Sequence, residues 1–131
     1  MKKLLILLFS ILISFNSYGQ WLHAGDLSEG DKVYMDFTTI KKNNGYVYHW
    51  ELMDFLKPTK NGDFSATVYY ETNCNIPVKS RMISINYYKR QMGQGYSRTD
   101  NTTYEWHYSA PGSVAENILR MVCKWKPLDL D

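Results

Sequence analysis

Five side chains in this 131-residue sequence belong to types that carry metal, redox or nucleophilic chemistry unaided: His23, His49, His107, Cys74 and Cys123. A metal site is signalled by ligands at short spacing, such as His-x-x-x-His or Cys-x-x-Cys, and neither pattern occurs. The histidines therefore read as scattered surface or core residues, with convergence in space as the alternative. No Gly-x-Ser-x-Gly elbow, P-loop or dinucleotide fingerprint is present. Gly93-Gln94-Gly95 lacks both a third glycine and a following helix, so it reads as a loop rather than a phosphate cradle. The acidic residues are spread singly, although a glycosidase pair need not be adjacent in sequence. An active site would have to be assembled from dispersed groups such as His49, Glu51 and Arg81. The expectation is no catalytic residue, no cofactor and no metal.

The cysteines become readable once the compartment is inferred. Lys2 and Lys3 precede an apolar run from Leu4 to Phe15, and Ser17-Tyr18-Gly19 sets small residues at the −3 and −1 positions of a cleavage site. This is the pattern of a secretory signal peptide over residues 1–19, leaving 20–131 as one mature domain. The apolar run is twelve residues, short of the ~20 that span a bilayer. Charge recurs from Asp26 onward, so no integral membrane segment is expected after cleavage. No cysteine adjoins the cleavage site to carry a lipid anchor. The protein is expected to be exported: periplasmic, secreted or at the cell surface. An even cysteine pair in an oxidising compartment defaults to one disulfide, which makes Cys74 and Cys123 structural partners.

Composition narrows the classes further. The 15 Lys+Arg against 13 Asp+Glu give a formal charge of +2, and Lys2 and Lys3 account for all of it. The mature chain is formally neutral, and Lys41-Lys42 and Lys89-Arg90 are too small for a nucleic-acid or polybasic membrane patch. A 44% hydrophobic content excludes intrinsic disorder.

The elements that would position any site are mostly strands. Val33, Met35 and Phe37 alternate with polar neighbours, as a half-buried strand does. Asn44-Gly45 is a hairpin turn signal. It leads into a strand with Tyr46, Tyr48, Trp50 and Leu52 on one face and Val47, His49, Glu51, Met53 and Phe55 on the other. Both faces are partly apolar, which suits a central strand. After the 57–63 loop, Phe64, Ala66, Val68, Tyr70, Thr72 and Cys74 share a core-facing side. A further strand carries Ile83, Ile85 and Tyr87 on one side, residues 91–102 read as a polar loop, and 103–108 reads as a last strand. Asn101-Thr102-Thr103 fits a glycosylation sequon inside that loop. One helix is expected, opened by the Ser113-x-x-Glu116 capping box and closed by Pro127, with Cys123 in its last turn. Strands followed by one helix argue an α+β, mostly β fold: an antiparallel sheet with the helix on one face.

The aromatic content, 15% of the chain, is the remaining functional lead. Tyr69-Tyr70 and Tyr87-Tyr88 are strand neighbours, so one of each pair should stand outside the core. Such rings either fill gaps or form a binding surface.

Several pieces fall in a recognisable order: Trp21-Leu22, Val33-Tyr34-Met35-Asp36, Thr39-Ile40, Tyr46-Val47-Tyr48-His49-Trp50 and Lys57-Pro58. Tyr70-x-x-x-Cys74, Arg81, Pro111-Gly112-Ser113 and Val122-Cys123 follow. From about Trp21 to Cys123 the chain resembles the surface-adhesin protein E family of bacterial exported proteins. The resemblance implies about six antiparallel strands packed with the C-terminal helix and tied by a Cys74–Cys123 disulfide. It also implies a non-enzymatic adhesin-like module for a host or envelope protein partner, such as matrix or plasma proteins. The sequence departs from the founding adhesin in having no lipid-attachment cysteine. Two other readings stand beside it: a small periplasmic enzyme or ligand carrier, and a structural envelope protein acting by self-association, for instance as a homodimer.

Overall fold

A computed structural model describes residues 20–126; the expected signal peptide over 1–19 and Pro127 as the end of the helix lie outside the described residues. In chain order the strands are β1 (Leu22–Asp26), β2 (Lys32–Met35), β3 (Lys41–Asn43), β4 (Tyr46–Asp54), β5 (Ser65–Asn73), β6 (Lys79–Tyr88) and β7 (Ser97–Asp100). One helix, α1 (Val114–Lys124), follows. All neighbours pair antiparallel in the order β1-β2-β4-β5-β6-β7, and β3 shares one edge of β4 with β2. The mostly β fold, the antiparallel sheet and the single C-terminal helix are as expected.

β4 is central because both of its faces have something to bury or support. Val47, His49, Glu51 and Met53 lie opposite Thr72, Tyr70, Val68 and Ala66 of β5. On this side Val33, Met35, Ile40 and Val47 meet Ile118, Leu119 and Val122 of α1. The three helix side chains are almost fully buried, each contributing about 1.5–3 kcal/mol. Farther along the same face, Ala66, Val68 and Ile85 form a second cluster with Tyr70, Met82 and Tyr87. Between the clusters, buried His49 bonds Glu51 at 2.7 Å, and the Tyr70 ring stacks on the imidazole at 5.3 Å.

The capping box is present with one change of partner. Ser113 Oγ accepts the Glu116 N–H at 3.1 Å, while Glu116 accepts from the Gly112 N–H at 3.3 Å instead of from Ser113. Glu116 in the first turn and Lys124 in the last oppose the helix macrodipole. The Cys74–Cys123 disulfide joins the residue after β5 to that last turn, with Cα atoms 5.7 Å apart.

Several boundaries differ from expectation. β2 stops at Met35, because the Asp36 carboxylate accepts the Thr38 N–H at 2.9 Å and caps a 3-10 turn over Phe37–Thr39. The 91–102 segment is a 3-10 turn (Gln91–Gly93) followed by β7. The 103–108 strand reduces to a Tyr104 N–H bond to Met82 and a bridge between His107 and Ser80. In both places the backbone of β6 decides the pairing, whatever the side chains alternate. β1 was not anticipated; it pairs β2 with an irregularity at Ala24. Ile83 does not continue the row of Ile85 and Tyr87. It sits at a register shift between the Ser84 and Met82 pairings, so Met82 and Ser80 take over the helix-facing row.

Asp63, fully buried in the β4–β5 loop, ties that loop to the β6–β7 hairpin through Arg98 at 2.8 Å and Lys89 at 3.2 Å. Burial opposes its ionisation, but the hydrogen bond from Arg98 and the positive charge of Lys89 win and hold its carboxyl below the ordinary carboxylate value. The folded state thus favours the ionised form. That contribution is complete above about pH 4 and disappears as the pH falls through the depressed value.

Two outcomes follow for unfolding in urea. Replacing both cysteines by serine opens a loop whose ends are 49 residues apart, and lowers the unfolding free energy by up to about 4 kcal/mol. An unchanged midpoint would show that the disulfide does not constrain the unfolded chain. Asp63→Asn lowers stability at pH 7 by about 1–3 kcal/mol. It also flattens the loss between pH 7 and pH 3; a variant as acid-sensitive as the parent would contradict the role given to this carboxylate.

Candidate functional site

The helix packs on part of one face of the sheet, and the other face carries the candidate site. One end of that second face is closed by the turn after β6. Met92 N–H donates to Asp54 at 2.9 Å and Gly93 N–H to Ser65 Oγ at 2.9 Å, seating the turn over fully buried Leu52. Gly93 has φ +70°, and a Cβ there would stand 3.3 Å from Leu52, so a side chain would meet both strain and crowding.

Beyond this turn, rings run across the strands, half-buried except for the exposed His23. His23 and Tyr34 approach at 5.4 Å. Trp50 meets Tyr69 at 4.6 Å, and Tyr69 stacks with Tyr48 at 5.9 Å and an interplanar angle of 24°. At the far end Tyr46 stacks with Trp106 at 6.1 Å. Trp106 also lies under two cations, the Arg81 guanidinium at 4.4 Å and the Lys79 ammonium at 5.0 Å from its centroid. Glu71 joins the two halves. Arg81 reaches its Oε1 through Nε at 2.8 Å and Nη2 at 2.7 Å, and Tyr48 Oη donates to Oε2 at 2.7 Å.

This arrangement depends on backbone irregularity. Ile83 is the extra residue in β6, between Ser84 opposite Tyr69 and Met82 opposite Tyr70. Under strict alternation residue 81 would share the helix-facing side with Ile85. The bulge brings Arg81 opposite Glu71 on the open face, the re-aiming for which β-bulges are known. No sequence pattern announces it.

The face is therefore rigid and amphipathic. The rings of Tyr48 and Trp50 both pack against Tyr69. Arg81 and Glu71, with side chains 31% and 13% exposed, hold the centre in a shared ion pair. The hydrogen bond to Glu71, then burial, pushes the Tyr48 hydroxyl up from 10.0 to about 12. Burial also raises Tyr69. The phenols are neutral at physiological pH and present themselves as hydrogen-bonding groups.

The residues singled out in the sequence separate cleanly. Tyr69 and Tyr88 lie on the open face, and Tyr70 and Tyr87 lie on the helix face, as strand alternation requires. Of Tyr104, Trp106 and Tyr108, only Trp106 joins the ring row; Tyr104 bonds Asp100 at 2.7 Å. His49 and Glu51 are buried on the helix-facing side of the sheet, while Arg81 stands on the opposite face, so this trio forms no site. Cys74 and Cys123 are disulfide-bonded. Among the described residues no group of three His, Cys, Asp or Glu side chains could hold a metal ion, and no helix is long and apolar enough to cross a membrane.

A family model described as surface-adhesin protein E matches residues 21–124, nearly the whole of this fold. The chain belongs to the surface-adhesin protein E family. Solved structures of Haemophilus influenzae protein E have the same fold. Its selenomethionine form gives a TM-score of 0.59 at 15% identity, covering 79% of this chain and 84% of that one. Crystal form II gives 0.56 at 17% identity, over 70% and 79% of the two chains. Protein E from non-typeable H. influenzae gives 0.55 at 15% identity, over 79% and 74%. No curated protein matches the sequence. At such identities the likeness carries the family's fold, and the ring row has to be judged on its own geometry.

The raised Tyr48 value tests that geometry. The Tyr48–Glu71 bond supports folding fully below the ordinary phenol value near 10 and is lost as the pH rises through about 12. A tyrosine-resolved NMR titration should place Tyr48 near 12, and Glu71→Gln should bring it back toward 10. An ordinary value in the unmodified protein would dissolve the bridge between the two halves of the row.

Proposed function

We propose that this protein is an exported, non-enzymatic, adhesin-like module that holds a protein partner on the open face of its sheet, the partner being a host matrix or plasma protein or an envelope protein. One observation carries the reading. Trp50, Tyr69, Tyr48, Tyr46 and Trp106 form a row of partly exposed rings already locked by stacks and by the Glu71–Arg81 pair. Tyr, Trp and Arg are the residues that dominate binding energy at protein interfaces. Held in place beforehand, they lose little conformational freedom when a partner arrives. Membership of a family described as surface adhesins supports the same role and an exported location, as does the signal-peptide pattern in residues 1–19.

The ring packing favours a protein over a sugar. A glycan stacks on free ring faces, whereas Tyr69 is flanked by the rings of Trp50 at 4.6 Å and Tyr48 at 5.9 Å. Edges, hydroxyls and a guanidinium suit backbone carbonyls and carboxylates. The enzyme reading has no observation in its favour, since His49 and Glu51 face away from Arg81.

The test compares the mature protein with Trp50→Ser and Tyr69→Ala variants on immobilised matrix proteins, plasma proteins and envelope extracts. Saturable binding should weaken about 30-fold in the variants, the effect of losing a hot-spot ring of about 2 kcal/mol. Circular dichroism and thermal midpoints would show the variants folded. Binding that is absent throughout, or indifferent to both substitutions, would overturn the proposal.

A further inference from the structure

Away from the ring row, a groove of about 530 Å3 lies between α1 and the segment following β5, within the ~300–1,000 Å3 typical of small-molecule sites. Its apolar walls come from Ile76, Pro77, Val78, Tyr108 and Leu119, with the Cys74–Cys123 disulfide beside them. Ile76 is 95% exposed and Tyr108 63% exposed, a large apolar surface to leave in water on a domain this small. Three polar features converge on the same groove. Ser109 lines it with a buried hydroxyl that has no hydrogen-bond partner among the described residues. Arg120 and Lys124 stand along it on α1. Glu116, the one carboxylate in the lining, is already held by Arg120 at 3.0 Å and by the Gly112 N–H at 3.3 Å. Lys124 makes no ion pair among the described residues, so the groove has positive charge to spare.

We propose that this groove binds a free single-chain amphiphile with an anionic head, such as an acyl carboxylate. The chain covers Ile76, Val78 and Leu119, and the head meets Lys124. Charge complementarity selects the head, because a carboxylate beside an ammonium that makes no ion pair among the described residues gains a charge-assisted hydrogen bond. The scarcity of polar groups selects the tail. A peptide brings one amide donor and one acceptor per residue, more than Lys124 and a paired Arg120 can satisfy, whereas an acyl chain brings none. The site is independent of the open face.

The probe is dodecanoate below its micelle concentration, added to the folded mature protein and followed by methyl NMR and calorimetry. Saturable 1:1 binding with shifts at Ile76 and Leu119 is expected. Lys124→Glu, a substitution at an exposed position, should weaken it about tenfold or more, and Ile76→Asp should abolish it, while Trp50→Ser leaves it unchanged. Dodecanol should bind at least tenfold more weakly than dodecanoate. The proposal is overturned by a lack of saturable shifts, by equal affinity in Lys124→Glu, or by shifts confined to the open-face rings. It is equally overturned if deleting residues 127–131 moves the Ile76 and Leu119 signals and dodecanoate does not, since the chain's own acidic, leucine-bearing end would then be the occupant.

Discussion

One helix has to serve a seven-stranded sheet. An eleven-residue helix is about 16 Å long and ~10 Å across, while six strands abreast span roughly 24 Å, so α1 covers part of one face. The rest of the fold answers this shortage of cover. The disulfide fastens the helix end to the residue that follows the long central β5. The second apolar cluster, beyond the helix-packed one, is closed by side chains of its own strands, Tyr70, Met82 and Tyr87.

Apart from the turn after β6, no element among the described residues covers the open face, which is stabilised laterally. Rings stack across strands, and Glu71 accepts from Arg81 and Tyr48 together, so each side chain on this face is supported by cross-strand neighbours. Lateral support explains why so many tyrosines stay half-buried rather than sinking into the core. It also yields, without further cost, the ordered amphipathic surface that a binding protein needs. The same economy limits free edges: β3 is three residues long and lysine-rich, and β1 is interrupted at Ala24, both features that discourage strand-to-strand association.

Much of this was legible in the residues. Alternation in 46–55 and 64–74 gave both faces of β4 and β5, including which of Tyr69 and Tyr70 points outward, because period-two patterning over nine residues leaves little freedom. The capping box located α1, and the even cysteine count located its tether. Short or wholly exposed strands were not legible: β1, β3 and β7 have no buried face to pattern, and their pairing is set by the backbone beside them. Least legible was the site itself. Its composition showed in the count of aromatics, but its assembly depends on the bulge at Ile83, which puts Arg81 opposite Glu71 and over the Trp106 ring. A one-residue register shift leaves no mark in composition or periodicity.

The central claim is that the ring row is a working surface and not merely lateral packing. Hydroxyl-radical footprinting addresses it directly, comparing the purified mature protein with the same protein displayed on exporting cells in the presence of matrix and plasma proteins. Trp50, Tyr69 and Trp106 should oxidise readily in the free protein and become protected in the mixture, while Tyr104 and Tyr108, off the row, react equally in both. Unchanged oxidation of the three rings, or protection that falls on Tyr108 instead, would contradict the account.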